Sequence, residues 1–85
     1  MPSSKAKLYK PVRRSDRNTV GRVAQRLRQA QGLTREDLSA RAQVIGWDIS
    51  SFVVKRIERG EREVTDIELR KLAKVLRVPA AVLLE

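Results

Sequence analysis

Apolar residues at helical spacing constrain the fold of this chain more than any other feature of its sequence. They begin at Val20 and recur three or four positions apart in successive segments up to Leu84. The first stripe comprises Val20, Val23, Ala24, Leu27 and Ala30. Such spacing places every member on one face of a helix, whereas a half-buried strand alternates apolar and polar residues. Because no segment of five or more residues alternates convincingly, an all-α fold is predicted.

Capping residues and glycines divide this region into predicted helices. Asn18 or Thr19 can cap the first helix, and Gly32 supplies the left-handed residue that commonly follows a helix end. Thr34 caps a second, short helix, with Asp37 three residues on as in a capping box. The first helix is therefore predicted to end before Gly32 and the second to begin after Thr34.

Three more helices are predicted after a longer connection. Ser50 can cap the third helix, which ends at Gly60. Thr65 and Glu68 have the type and spacing of a second capping box, at the start of the fourth helix. Pro79 suits the first position of a short fifth helix. The prediction is a compact five-helix bundle over residues 18–85.

Composition excludes several classes of function. The 85 residues include no Cys and no His, which excludes disulfides, thiolate chemistry, zinc fingers and His-based acid–base catalysis. The serines have no His to activate them, so no catalytic, metal or cofactor site is expected. No apolar run approaches the roughly 18 residues of a membrane span, and no apolar segment follows the basic N-terminus as in a secretory signal. A cytoplasmic protein without a small-molecule ligand is expected.

Positive charge is concentrated at the N-terminus. The whole chain has a formal net charge of +9, and residues 1–17 hold six basic side chains against one Asp. Because this segment also contains two of the three prolines and shows no apolar periodicity, a flexible basic arm is predicted for residues 1–17, ahead of the domain at 18–85. The arm either keeps a small protein soluble or binds a nucleic acid, along its phosphates or in a groove, and the sequence leaves both open.

Three segments of the helical region resemble the Cro/C1-type helix-turn-helix domain, the XRE-like or lambda-repressor-like family. They are LRQAQGLTREDLSARA at 27–42, IERG at 57–60 and LRKLAKVLRV at 69–78. The segments occur in the family's order, and the resemblance extends over nearly all of the chain beyond the arm. It implies that the second and third helices form the helix-turn-helix. It also implies a sequence-specific, repressor-like regulator of transcription that binds duplex DNA.

The resemblance further implies which residues contact DNA. The recognition helix, at about residues 51–59, would lie in the major groove, where base edges display distinguishable donors, acceptors and the thymine methyl. The base-reading candidates are Ser51, Phe52, Val53, Lys55 and Arg56. The candidates for phosphate contacts are Arg35, Arg59 and Arg62, joined by Arg13 and Arg14 if the arm binds phosphates.

The connection before the recognition helix is longer than the family usually has, and it contains Trp47 and Ile49. One interpretation is that both side chains fold onto the core and brace the recognition helix, because a lone Trp buries a large area. The other interpretation is that Trp47 stacks on DNA or on a partner.

Two of the base-reading candidates, Phe52 and Val53, are apolar, whereas Gln, Arg or Asn would form bidentate hydrogen bonds with bases. Three interpretations are open. The two side chains contact thymine methyl groups, or they form an exposed apolar patch for another protein, or Phe52 packs against the longer connection.

Two other functions fit the same predicted fold. In the first, Phe52, Val53 and Trp47 hold a protein partner. In the second, the arm and the loop after the recognition helix, with Arg59 and Arg62, bind structured RNA, or the ribosome, by charge and shape.

A homodimer is expected if the DNA site is a palindrome, because two-fold operators are usually bound by two-fold dimers. The fifth helix, with Val82, Leu83 and Leu84, is the candidate interface.

Overall fold

The computed structural model describes the backbone of residues 14–84 and the side chains of residues 19–84. The elements are, in order, α1 Arg14–Ala30, α2 Arg35–Val44, α3 Ser51–Glu58, α4 Asp66–Leu76 and a 3-10 helix Ala80–Leu84. No strand occurs within residues 14–84, and the prediction of an all-α fold is confirmed. The segment before Arg14, with the phosphate candidate Arg13, lies outside the described residues.

Helix α1 begins earlier than the sequence indicated. The prediction placed its start at Asn18 or Thr19, whereas helical backbone begins at Arg14, inside the segment predicted as an arm. A capping residue is a weak local signal, because it is also tolerated within a helix that propagates from a packed segment. The phosphate candidate Arg14 is therefore the first residue of α1.

The fifth predicted helix is a 3-10 helix rather than an α-helix. The amide of Val82 donates to the carbonyl of Pro79 at 3.0 Å. Pro79 thus precedes the first helical residue, Ala80, and does not occupy the first position as predicted. Five residues are too few for two α-helical turns, and 3-10 geometry is usual in such short pieces.

The core lies where the helices meet, and every element from α1 to the 3-10 helix contributes to it. The largest fully buried side chains are Leu38, Ile57, Leu72, Leu76, Leu83, Val20, Val54 and Val64. Val64 belongs to the loop between α3 and α4. Of the predicted interface residues, Leu83 is fully buried, Val82 is half-buried and Leu84 is 56% exposed. Leu83 therefore serves the core of its own chain.

The connection between α2 and α3 also folds onto this core. Trp47 and Ile49 are only 6% and 4% exposed. The amide of Trp47 donates to the carbonyl of Ala42 at 2.9 Å, and the buried hydroxyl of Ser39 donates to the carbonyl of Ile49 at 2.6 Å. The interpretation that Trp47 and Ile49 fold onto the core is confirmed, and the buried Trp47 ring does not stack on a ligand.

The caps expected from the sequence are present. The hydroxyl of Thr34 accepts from the amide of Asp37 at 3.0 Å, and the carboxylate of Asp37 accepts from the amide of Thr34 at 2.9 Å. Thr65 and Glu68 form the same reciprocal pair at the start of α4. Ser50 caps α3 through its hydroxyl. These contacts satisfy amides that a helix start would otherwise leave unpaired.

Helices α1 and α3 approach each other closely at Gly21. A Cβ atom there would lie 2.3 Å from the carbonyl oxygen of Ile57 and 2.7 Å from that of Glu58. Carbon and oxygen atoms do not pack at such distances without displacement. Only glycine, which has no Cβ atom, therefore fits at this position. The contact places the C-terminal end of α3 directly against α1.

Candidate nucleic-acid interface

Helix α3 presents one continuous outward face. Its exposed side chains are Phe52 and, three and four residues later, Lys55 and Arg56; Arg59, the C-cap residue four positions after Lys55, extends the face. The buried side chains of the same helix are Val54, Ile57 and Glu58. Since residues at this spacing align along a helix, the outward face carries an aromatic ring in its first turn and three cations after it.

The other two base-reading candidates do not share this face. Ser51 and Val53 are half-buried, and Val53 packs against the core. The ring of Phe52 is 65% exposed, which corrects the interpretation that it packs against the connection before α3. The structure therefore brings Phe52, Lys55 and Arg56 together and separates them from Ser51 and Val53.

Glu61, which follows α3, contacts two of the exposed cations. Arg56 donates through Nη2 to the main-chain oxygen of Glu61 at 3.2 Å, and Nε of Arg59 lies 3.3 Å from Oε2 of Glu61. The side chains of Arg59 and Glu61 are 57% and 47% exposed, and ion pairs as exposed as this contribute at most about 1 kcal/mol. Arg59 can therefore exchange Glu61 for a phosphate at little cost.

A buried charge cluster fixes α3 to α1 and α2. Nε of Arg28 lies 2.6 Å from Oε2 of Glu58, and Nη2 of Arg28 lies 3.1 Å from Oε1. Nε of Arg35 donates to the same Oε1 at 3.0 Å. The side chains of Arg28 and Glu58 are 9% and 1% exposed. Because removing one partner of a buried pair costs about 3–5 kcal/mol, this cluster holds the orientation of α3.

Arg35 is the first residue of α2, and its side chain is 31% exposed. Its Nε is held by Glu58, whereas its two terminal nitrogens make no hydrogen bond within the part of the chain that the structure describes. A guanidinium held in this way at the positive end of a helix suits an anionic ligand. The position of this phosphate candidate is thus compatible with its predicted role.

Arg62 is engaged within the domain. Its Nη1 and Nη2 lie 3.2 Å and 2.9 Å from the two carboxylate oxygens of Glu68. Burial raises the pKa of Glu68, but hydrogen bonds from Arg62 and Thr65 outweigh burial and leave this pKa below its usual value. Arg62 therefore stabilises the capping box of α4, and its contact with phosphate stays a prediction.

Two open clefts border α1, one beside Arg59 at the end of α3 and the other beside Arg35 at the start of α2. The first, of about 430 Å³, is lined by Arg22, Gln25, Glu58 and Arg59. The second, of about 400 Å³, is lined by Gln25, Arg28, Gln29, Thr34, Arg35 and Glu36. The sequence did not indicate Arg22 and Gln25 as site residues. Gly21, which lets α1 approach α3, is the sequence feature that could have indicated Arg22 and Gln25.

The surface of α3 offers ionic, hydrogen-bonding and apolar contacts. Within the described residues, no group of three or more His, Cys, Asp or Glu side chains could hold a metal ion. None of the helices between residues 14 and 84 is long and apolar enough to cross a membrane.

Comparison with protein families identifies this arrangement. A family model described as helix-turn-helix, of the Cro/C1 type, matches residues 25–83. The chain belongs to this helix-turn-helix family. The matched residues contain α2 and α3 with their longer connection, and the resemblance seen in the three sequence segments is confirmed.

Solved structures of similar proteins agree with this assignment. The DNA-binding domain of BldD is 30% identical with a TM-score of 0.72, and the alignment covers 86% of this chain and 99% of that one. The restriction-modification controller protein C.AhdI from Aeromonas hydrophila is 28% identical with a TM-score of 0.71, over 82% of this chain and 94% of that one. The clp gene regulator ClgR from C. glutamicum, at 23% identity and a TM-score of 0.71 over 81% and 83% of the two chains, shares the fold. No curated protein matches the chain significantly.

The helix-turn-helix family consists of DNA-binding regulators. The chain is accordingly a DNA-binding regulator. Its expected partner, double-stranded DNA, follows from the family.

Proposed function

We propose that this helix-turn-helix protein is a repressor-like regulator of transcription that recognises a specific duplex sequence through α3. The observation that carries the proposal is the outward face of α3, where Phe52, Lys55 and Arg56 stand together. The buried Glu58 cluster fixes the opposite side of the same helix. A helix fits the major groove, and the first turns of a recognition helix contact base edges while other elements hold phosphates.

Phosphate contacts come from the residues around this face. Arg35 and Arg59 supply them from the start of α2 and the end of α3, and Arg22 adds a third contact from α1. Arg62 makes a further phosphate contact when its guanidinium leaves the carboxylate of Glu68. Arg13 and Arg14 contribute affinity that does not depend on base sequence, because contacts with phosphates position a protein without reading bases.

The proposed DNA complex contains a homodimer. Leu84 is 56% exposed and Val82 is half-buried, so both can contribute apolar area to a second copy. Leu83 cannot contribute, because it is fully buried in its own chain. A two-fold dimer binds half-sites about one helical turn apart.

Selection of binding sites from a random duplex pool at about 0.15 M salt tests this function, because such salt partly suppresses nonspecific phosphate binding. The proposal predicts an enriched motif. A two-fold motif with half-sites about 10 base pairs apart supports the dimer as well. A single short half-site supports specific binding but contradicts the dimer. The absence of any enriched sequence contradicts the proposed function.

The 65% exposed ring of Phe52 also fits a protein-interaction module on the same fold. Such a module keeps its partner after Lys55→Ala and loses it after Phe52→Ala, and it enriches no DNA motif. Charge-only binding of structured RNA differs from both, because it survives Phe52→Ala and weakens when the arm is removed.

A further inference from the structure

We propose that Phe52 makes DNA recognition by this protein depend on a pyrimidine C5 methyl group, the group carried by thymine and by 5-methylcytosine. The dependence applies to the base that meets the first turn of α3. This inference rests on the proposed placement of α3 in the major groove, and it names what the first turn reads there.

The first turn of α3 offers one exposed side chain to a base. Ser51 and Val53 are half-buried, and Val54 is 2% exposed. The hydroxyl of Ser50 accepts from the amide of Val53 at 3.2 Å and serves as the helix cap. Lys55 begins the next turn. A base edge against the first turn therefore meets the ring of Phe52.

The chemistry of the major groove determines what this ring can recognise. The base edges there carry hydrogen-bond donors and acceptors, and the apolar group among them is the thymine methyl. A ring placed on that methyl buries apolar surface on both partners. A ring placed on an edge without the methyl removes water from polar atoms and offers no hydrogen bond in exchange. Phe52 thus favours a methylated pyrimidine and disfavours other bases at the same position.

The position of Phe52, rather than its exposure alone, supports this role, because single exposed apolar residues are common on proteins. Phe52 lies on the same outward face as Lys55, Arg56 and Arg59, all of them cationic. The ring is not part of the core or of the partly buried residues packed against it. Its truncation should leave the fold intact. Ile67, which is also 65% exposed but lies at the start of α4, provides a matched control.

Deoxyuridine scanning of the selected duplex tests the inference. Each thymine is replaced in turn by deoxyuridine, which removes only the C5 methyl, and the dissociation constant is measured for wild type, Phe52→Ala and Ile67→Ala. We expect one or two positions at which wild type and Ile67→Ala lose about fourfold affinity, the scale of burying one methyl group. Phe52→Ala should bind the thymine duplex more weakly and should not respond to deoxyuridine at those positions.

A second measurement uses cytosine at the same positions. Wild type should bind a duplex with 5-methylcytosine about fourfold more tightly than one with cytosine, and Phe52→Ala should bind both equally. The inference is overturned, and the proposed function stands, if wild type binds a selected site and ignores every deoxyuridine, or if Phe52→Ala keeps the full response. If no site is selected at all, the proposed function fails and the inference fails with it. Circular dichroism and thermal unfolding confirm that each variant is folded.

Discussion

Glu58 connects the core of this protein to its surface. One of its oxygens accepts from both Arg28 and Arg35, so the same carboxylate neutralises a buried arginine and orients a partly exposed one. Because Glu58 belongs to α3 and Arg35 to α2, the direction of the Arg35 guanidinium is tied to the placement of α3. Under the proposed function, the phosphate contact and the base-reading helix are therefore held in one fixed relation.

Gly21→Ala should destabilise the protein. Alanine favours a helix interior over glycine by about 1 kcal/mol, but here its Cβ would lie 2.3 Å from a backbone oxygen of α3. Overpacking against backbone costs about 1–3 kcal/mol, so the net free energy of unfolding should fall. Chemical denaturation measures it, with Gln29→Ala, an exposed change on the same helix, expected to be nearly neutral. A stability gain in Gly21→Ala would show that α1 and α3 are not in close contact.

Arg77→Gly should stabilise the protein. Arg77 has a left-handed backbone with φ 59°, and its amide and that of Val78 close the end of α4 on Lys74 and Ala73. Left-handed backbone costs a residue with a Cβ about 1 kcal/mol, and glycine avoids that cost. We expect a gain of about 0.5–1 kcal/mol. Arg70→Gly, within the same helix, should lose about 1 kcal/mol. Thermal unfolding measures the melting temperature of both variants. Shifts of the same sign in the two variants would contradict this account.

The residues that sequence analysis missed were those whose environment depends on distant partners. Arg28 lies next to Leu27 of the apolar stripe of α1, and its buried charge is compensated by Glu58, 30 positions away. Lys55 and Arg56 became candidates through the resemblance to the helix-turn-helix family, and their exposure agrees with helical spacing, which is local. Ser51 and Val53 lie on either side of Phe52 in the same short helix, so only the packing of α3 on α1 and α2 decides which of them faces outward.

At the scale of elements, local chemistry determines where α2, α3 and α4 start, whereas the start of α1 at Arg14 did not follow from its candidate caps. Capping boxes at Thr34 and Thr65 were predictable because each depends on residues three positions apart. The type of the last element was not predictable in the same way, since Ala80–Leu84 is too short for its spacing to distinguish α from 3-10 geometry. The buried placement of Trp47 was one of two interpretations, the one favoured by its size, whereas its backbone hydrogen bond to Ala42 required the fold.

The capping box of α4 should make stability depend on pH. The pKa of Glu68 is ordinarily about 4.5; burial raises it, but hydrogen bonds from Arg62 and Thr65 outweigh burial and lower it in the folded protein. The unfolded chain therefore takes up the proton at higher pH than the folded chain does. The stability contributed by this carboxylate is present above its unfolded pKa and is lost as pH falls through the folded pKa.

We therefore expect wild type to be more stable than Glu68→Gln near neutral pH, and this difference to shrink between about pH 5 and about pH 3. Urea denaturation at several pH values measures both proteins. A difference that stays constant over this range would show that the Glu68 carboxylate is not held by Arg62 and Thr65. The pKa of Asp37 is lowered by backbone and side-chain hydrogen bonds with Thr34, so the wild-type curve contains a second contribution of the same sign.

At the scale of the whole molecule, the basic N-terminal segment and the candidate reading face occupy different parts of the chain. Residues 1–17 carry six of the 19 basic side chains, whereas the reading face belongs to α3. Under the proposed function, the N-terminal residues supply affinity and α3 supplies specificity. The two contributions can be separated by salt, because phosphate contacts release counterions and base contacts do not.

Deletion of residues 1–13 removes four basic side chains, Lys5, Lys7, Lys10 and Arg13. We expect weaker binding to every duplex, the same base preferences, and a slope of log affinity against log salt that is shallower by up to about 3–4. Fluorescence anisotropy titrations between about 0.05 and 0.2 M salt measure the slope. A deletion that changes the preferred bases would contradict the assignment of specificity to α3.

The most direct test of the central claim compares Lys55→Ala with Lys74→Ala. Each removes one exposed lysine charge, but Lys55 lies on the outward face of α3 and Lys74 on α4. The measurement is affinity for the selected duplex and for a scrambled duplex at one salt concentration. We predict that Lys55→Ala loses about 10-fold to 100-fold on the selected duplex alone and relaxes its preference at one base pair, while Lys74→Ala changes both affinities little and equally. Equal losses for the two variants on both duplexes would contradict base reading by α3.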